Sequence, residues 1–234
     1  MKAYELGFRL LHIFSARAAS GKLNNGGCED HHAALCAAGR DMRKIILFMM
    51  VSLDGYFEAP GHDISWHNVD DEFNKFAIEQ LSDADLLLFG KRTYELFESF
   101  WPAAEDDPRM TKDNLKIAHM INNAKKIVFS TTLKGVKEKR NWKNVRLMRK
   151  VDADEIRKLK KMPGKDIWIG GSSMLCASLV NAGLLDEMHI MVSPVLIGKG
   201  TALLRGINDK VRLELLKTRS FKSGNILLYY RVVK

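Results

Sequence analysis

Two short stretches of the chain carry residues suited to holding phosphate. Gly90-Lys91-Arg92-Thr93-Tyr94 follows the apolar run Leu86 to Phe89, and Gly170-Gly171-Ser172-Ser173 follows Asp166 to Ile169; each precedes a segment with helical spacing. Glycine lets a backbone approach an anion closely, and the free N–H groups at a helix start point toward it with the helix dipole in support. Neither stretch is a Gly-x-Gly-x-x-Gly fingerprint or a P-loop. Taken singly, each also reads as an ordinary strand-to-helix connection. Together, at the C-terminal ends of two strands where α/β proteins bind ligands, they point to a ligand with several phosphates.

Other reactive residue types lead less far. Asp54 beside Gly55 reads as a turn residue, and Asp71 as a negative charge at a helix start. Cys28, His31, His32 and Cys36 match no common zinc spacing, and Cys176 lies in an apolar helical segment. The His-x-Glu and Pro-Cys-x-x-Cys pair of zinc-dependent deaminases is absent.

The elements that must position these residues alternate in type. Ile45 to Val51 reads as a buried strand, Asp70 to Leu81 as a helix with acidic residues at its start, and Leu86 to Phe89 as a second strand followed by a short helix. Asp113 to Asn122 is helical in spacing, Lys126 to Ser130 and Val145 to Met148 are strands, and Ala153 to Lys161 is a basic helix closed by Pro163-Gly164. Asp166 to Ile169 is a strand, Met174 to Ala182 a helix stopped by Gly183, and Glu187 to Val192 a strand. Leu213 to Phe221 and Ile226 to Val233 flank Ser223-Gly224-Asn225 as an antiparallel hairpin. The fold class expected is therefore α/β, with a mixed, mostly parallel sheet flanked by helices and a C-terminal antiparallel hairpin.

Residues 1–41 lack this periodicity and read as a poorly structured extension, so the folding unit expected is 42–234. With 46% hydrophobic and 28% charged residues, 234 residues make a globular chain. The longest near-apolar run, Ile45 to Leu53, is too short for a bilayer, which needs about 20 residues. Three cysteines provide no disulfide framework, so the expected location is the cytoplasm, without a membrane partner. The net charge of +9 is polarised: residues 134–165 hold thirteen Lys and Arg against four Asp and Glu, whereas 52–89 hold nine Asp and Glu against Lys75. No aromatic stacking pattern or nucleic-acid motif accompanies the basic segment, so nucleic acid is not the expected partner. The basic segment is either a solvated face or a field that concentrates a polyanionic ligand.

The motifs in order make a more specific case. Ser52-Leu53-Asp54-Gly55, Trp66, Gly90-Lys91-Arg92-Thr93-Tyr94-Glu95, Ser130-Thr131-Thr132-Leu133, Gly170-Gly171-Ser172, Leu185-Asp186-Glu187 and Pro194 to Gly200 resemble the dihydrofolate-reductase-like superfamily. The match is closest to the reductase domain of the riboflavin-biosynthesis deaminase-reductase and its single-domain relatives, and it covers 42–234.

This resemblance implies an NADPH site. Gly90, Lys91, Arg92 and Thr93 would receive the cofactor's phosphates, with Lys91 or Arg92 near the adenosine 2′-phosphate. Ser130 and Thr131 would serve the adenosine end, and Gly170, Gly171 and Ser172 the pyrophosphate. Lys91 stands where relatives commonly carry Arg, replacing a bidentate fork by a point charge. Asp54 would lie near the substrate as in riboflavin-type relatives, Asp71 would take the place of the pterin-binding carboxylate of folate-reducing ones, and Trp66 would form a substrate wall. The implied activity is hydride transfer from NADPH to an imine-type carbon of a pyrimidine or pteridine, first among them 5-amino-6-(5-phosphoribosylamino)uracil. The alternatives are dihydrofolate or another pteridine, and a non-catalytic nucleotide-binding dimer. A homodimer is expected in each case.

Overall fold

The protein is described here by a computed structural model covering residues 42–233. The expectations for 1–41, including the cysteine and histidine cluster there, lie outside the described residues.

One eight-stranded sheet organises these residues. Its strands are β1 (Ile45–Ser52), β3 (Ala84–Gly90), β4 (Lys125–Phe129), β5 (Val145–Met148), β6 (Asp166–Ile169), β7 (Glu187–Ser193), β9 (Leu213–Ser220) and β10 (Ile226–Val232). They lie in the order β5-β4-β3-β6-β1-β7-β10-β9. The first six are mutually parallel; β10 pairs antiparallel with both β7 and β9, so the sheet is mixed, as the alternation and the closing hairpin predict. A separate ribbon pairs β2 (Tyr56–Glu58) with β8 (Thr201–Ala202). Strands this short leave no periodic signal, and both fall in segments that read as loops.

Helices α1 (Asp71–Ser82), α2 (Lys91–Ala104) and α3 (Lys112–Asn123) cover one face of the sheet, and α4 (Ala153–Lys161) and α5 (Ser173–Asn181) the other. The helix after Gly90 is 14 residues long rather than short, because Tyr94, Phe100, Trp101 and Ala104 keep one buried face through Pro102. The central strand β1 is apolar on both faces: Ile45, Leu47 and Met49 pack toward α4 and α5, while Phe48 and Met50 belong to the opposite face.

Polar anchors at the N-terminal edge hold the central strands in register. Asp186 accepts from the Ile45 amide at 2.8 Å and from Lys160 Nζ at 2.5 Å, and Glu187 accepts from Lys44 Nζ at 2.7 Å. The Asp186-Glu187 pair thus positions β1 against β7, far from the glycine turns at the opposite edge.

Candidate active site

The two glycine turns meet at the C-terminal edge of the sheet because β3 and β6 are hydrogen-bonded neighbours. The Gly90 amide donates to the Gly171 carbonyl at 3.2 Å, joining the turns directly. A Cβ on Gly90 would come within 2.3 Å of Ser172 Oγ, one on Gly170 within 2.3 Å of the Trp168 ring, and one on Gly171 within 3.0 Å of Thr93 Oγ1. The bare backbone at Gly90 and Gly171 is therefore required by the close approach of the two turns, at Gly170 by the Trp168 ring of its own strand, and at Gly171 also by φ +112°. The Gly171–Ser172 peptide is cis.

The helices that start here differ from the others at their N-termini. Asp70, Thr111 and Asp152 cap α1, α3 and α4 with side-chain oxygens. Gly90 and Ser172, at the starts of α2 and α5, make no side-chain cap bond. Two sets of first-turn N–H groups and two helix dipoles thus converge on one place with no capping oxygen of their own, which suits an anion.

A single cavity of about 1,380 Å³ opens at this edge. It exceeds the roughly 300–1,000 Å³ typical of one small-molecule pocket, which is volume enough for a substrate beside a cofactor. Its lining includes Lys91, Arg92, Thr93, Gly170, Gly171 and Ser172, all expected from the sequence, together with Arg205. Ser130 and Thr131 stand outside its wall. The Ser130 hydroxyl accepts from the Thr132 and Leu133 amides at 3.2 and 2.9 Å, shaping the loop after β4, and Lys91 Nζ donates to Thr132 Oγ1 at 3.3 Å. The basic residues 134–165 contribute none of the cavity wall. Several are paired on the surface, as in Lys139–Glu98 and Arg146–Glu155.

Neither Asp54 nor Asp71 lines the cavity. Asp54 is exposed and accepts from the Gly198 and Ile197 amides at 2.7 and 3.3 Å, tying the turn after β1 to the loop after β7. The Ser52 hydroxyl foremost, and then these amides, hold its carboxyl below the usual carboxylate range. Asp71 is exposed on the first turn of α1. Trp66 donates from Nε1 to the Asp63 carbonyl at 3.2 Å and sets its ring at right angles to His67, and it is His67 that faces the cavity.

The wall includes groups that sequence reasoning passes over. Glu58 is 6% exposed at its side chain, and its Oε1 receives Thr201 Oγ1 at 2.8 Å and lies 3.0 Å from His62 Nδ1 and 3.5 Å from Arg92 Nη1. His62 stands four residues along the chain, but Arg92 and Thr201 come from distant segments, so the sequence alone does not mark Glu58 as a meeting point. Arg92 also donates from Nη1 to His62 Nδ1 at 2.9 Å; with one nitrogen anchored, the 61% exposed guanidinium presents its remaining donors outward. The one sequence signal at Glu58 is a carboxylate directly following the aromatic pair Tyr56-Phe57.

His67 is neutral in the fold. Burial pushes its imidazole down to about 4, against the opposing effects of its bond to the Phe57 backbone and the charge of Asp63. The unfolded chain takes up this proton near 6.5, so the His67 contribution to stability is complete above that pH and is lost as pH falls toward 4, by at most about 3 kcal/mol. Urea unfolding across this range is therefore expected to show a declining midpoint in the parent protein and a flatter one in His67→Phe; equal slopes would contradict it.

Comparison with known proteins identifies relatives of this chain. The family described as the RibD C-terminal domain matches residues 43–227. The uncharacterized protein YyaP of Bacillus subtilis is 33% identical over 190 residues, spanning 80% of this chain and 94% of that protein. Among solved structures, a putative riboflavin biosynthesis protein from Shewanella superposes with a TM-score of 0.62 at 22% identity, covering 82% of this chain and all of that one. Dihydrofolate reductase from Enterococcus faecalis, solved with NADP(H), superposes with a TM-score of 0.55 at 16% identity over 82% of this chain and 99% of that one. These two structural likenesses establish the dihydrofolate-reductase-like fold.

Proposed function

The chain belongs to the RibD C-terminal domain family, and from that membership and the large cavity we propose that it is an NADPH-dependent reductase acting on an imine-type carbon of a pyrimidine or pteridine ring. The observation that carries this reading is the convergence of two uncapped helix N-termini and two bare glycine turns beside Lys91 and Arg92. That cradle fits a dinucleotide diphosphate. Gly170, Gly171 and Ser172 would hold the pyrophosphate with Thr93 and Arg92, Lys91 would meet the adenosine 2′-phosphate, and Ser130 and Thr131 would border the adenosine end. When bound, NADPH supplies a hydride.

The residues of the chain do the rest. The β2–β8 ribbon, pinned by Asp54 to the loop after β7, screens one side of the cavity from water. The substrate nitrogen needs a proton as the carbon is reduced. Asp54 and Asp71 do not line the cavity, and the buried carboxylate in its wall is Glu58, so we assign to Glu58 the orienting of a water that passes a proton to the substrate nitrogen, the hydroxide left behind being reprotonated from bulk solvent.

The test compares NADPH with NADH. NADPH is expected to raise the melting temperature of the full chain more than NADH does at equal concentration. Oxidation of NADPH is then followed with 5-amino-6-(5-phosphoribosylamino)uracil, the family's first candidate, and with dihydrofolate, the candidate from the fold. Stabilisation by NADPH without turnover of any pyrimidine or pteridine leaves the non-catalytic nucleotide-binding reading, and no stabilisation defeats both.

A homodimer forms part of this proposal. Strand β9 is the sheet edge, and Leu213, Leu215 and Leu216 on it are 42%, 52% and 37% exposed. An apolar edge with unpaired backbone groups is a template for a second copy. Leu215→Glu is expected to convert a dimer to a monomer in light scattering after size exclusion; an unchanged mass would place the contact elsewhere.

A further inference from the structure

Three polar atoms crowd together in the cavity wall. His62 Nδ1 lies 2.9 Å from Arg92 Nη1 and 3.0 Å from Glu58 Oε1, and Nη1 and Oε1 are 3.5 Å apart. All three residues line the cavity. The guanidinium nitrogen can only donate and the carboxylate oxygen can only accept, whereas Nδ1 has one in-plane position, filled by a lone pair or by a proton. With a lone pair it accepts from Arg92 and faces Glu58 as one acceptor faces another. With a proton it donates to Glu58 and has nothing to offer Arg92. Nδ1 therefore cannot satisfy both neighbours at once.

The structure holds the first arrangement. The hydrogen bond runs from Arg92 to Nδ1, so the ring is the neutral tautomer with its proton on Nε2. The backbone fixes the ring at this spot. His62 has φ +64°, a left-handed conformation uncommon outside glycine, and it follows Gly61 at φ +76°. The His62 amide donates to the Ala59 carbonyl at 3.1 Å and the Ala59 amide to the Asp63 carbonyl at 2.9 Å, which closes the turn after β2. Left-handed backbone on a residue with a side chain points to a use for that side chain. The other charged or titratable groups around the ring are Asp63, its chain neighbour, and, in the same cavity wall, His67, Lys91, Glu95 and Arg205; Lys91 stands 3.9 Å from Glu95.

We infer that His62 is a positioning residue for Arg92: as neutral imidazole it holds Arg92 Nη1 to the wall, and as imidazolium it turns its Nδ1 proton to Glu58 and releases that nitrogen to a phosphate of the cofactor. The inference rests on the reductase reading above and adds a proton to its cofactor binding. Histidine is the side chain that changes charge between about pH 5 and 8. Cofactor affinity therefore rises as pH falls through that range, because protonation frees a donor of Arg92. By linkage the reverse holds as well: binding of cofactor draws a proton onto His62.

The test measures the NADP+ affinity of the full chain by calorimetry at about pH 8 and about pH 5.5, in the parent and in His62→Asn. Asparagine tolerates left-handed backbone and offers an oxygen to Arg92 but does not titrate, and the cofactor's own 2′-phosphate titrates alike with both proteins. The parent is expected to gain about threefold to tenfold more affinity on acidification than the variant does, the worth of one freed hydrogen bond. It is also expected to take up more protons from the buffer on binding near neutral pH. In an Arg92→Ala background, His62→Asn should no longer alter the pH slope. Equal slopes for parent and variant, or a difference that survives at full size without Arg92, overturn the inference and leave the reductase reading intact. Absence of NADP+ binding at both pH values, with no stabilisation by NADPH, defeats the reductase reading and the inference with it.

Discussion

Gly171→Ala is expected to remove most of the thermal stabilisation that NADPH confers and to lower the melting temperature of the ligand-free protein by roughly 4–8 °C. Two effects act together. The residue sits at φ +112°, a region L side chains rarely adopt, at a cost of about 2 kcal/mol. The new methyl group would also stand 3.0 Å from Thr93 Oγ1 and 3.2 Å from the Met49 methyl, so Thr93 at the start of α2 has to move. Because the Gly90 amide bonds to the Gly171 carbonyl, a shift in one turn is transmitted to the other, and both uncapped helix starts lose their aim at the same anion. Differential scanning fluorimetry with and without NADPH checks this. A variant that melts lower but keeps the full NADPH shift would show that the turns act in folding and not in phosphate binding.

Arg92→Glu is expected to weaken NADPH binding by about 100-fold, close to 2.7 kcal/mol. The substitution removes a guanidinium from the lining of the cavity and sets two carboxylates, Glu58 and the new one, where an ion pair stood. The buried Glu58 then keeps only Thr201 and His62. Lys91→Ala should do less, about fivefold to tenfold, and should act on NADPH more than NADH, because Lys91 is the cation assigned to the 2′-phosphate. Fluorescence titration of both cofactors measures this. If Arg92→Glu leaves NADPH affinity within threefold of the parent, the cofactor's phosphates do not lie at the start of α2.

Both expectations combine local and distant information, and the two are separable residue by residue. Hydrophobic period 2 or 3.6 is a property of neighbouring residues, and it places nearly every main strand and helix within one or two positions. It has no hold on β2 and β8, whose few residues pair only because the turn after β1 meets the loop after β7. The length of α2 was hidden by Pro102, which usually ends a helix but here lies in its final turn.

By itself, the sequence determined the mixed sheet, the two glycine turns at strand ends and the cations beside them, because glycine's backbone freedom and a strand-to-helix start are local properties. Only the tertiary structure decided that the turns touch, since β3 and β6 become neighbours by a crossover. It also turned Asp54 onto the Ile197 and Gly198 amides, left Asp71 at the surface, and brought Glu58, His67, Phe48 and Trp168 to one cavity from four separate segments. The physical reason is that a side chain's direction follows from its own element, whereas what it faces depends on long-range packing. The acidic stretch 52–89 shows the difference: its charge is plain in the sequence, but that Glu58 alone among its acidic residues lines the cavity is decided only in the folded chain.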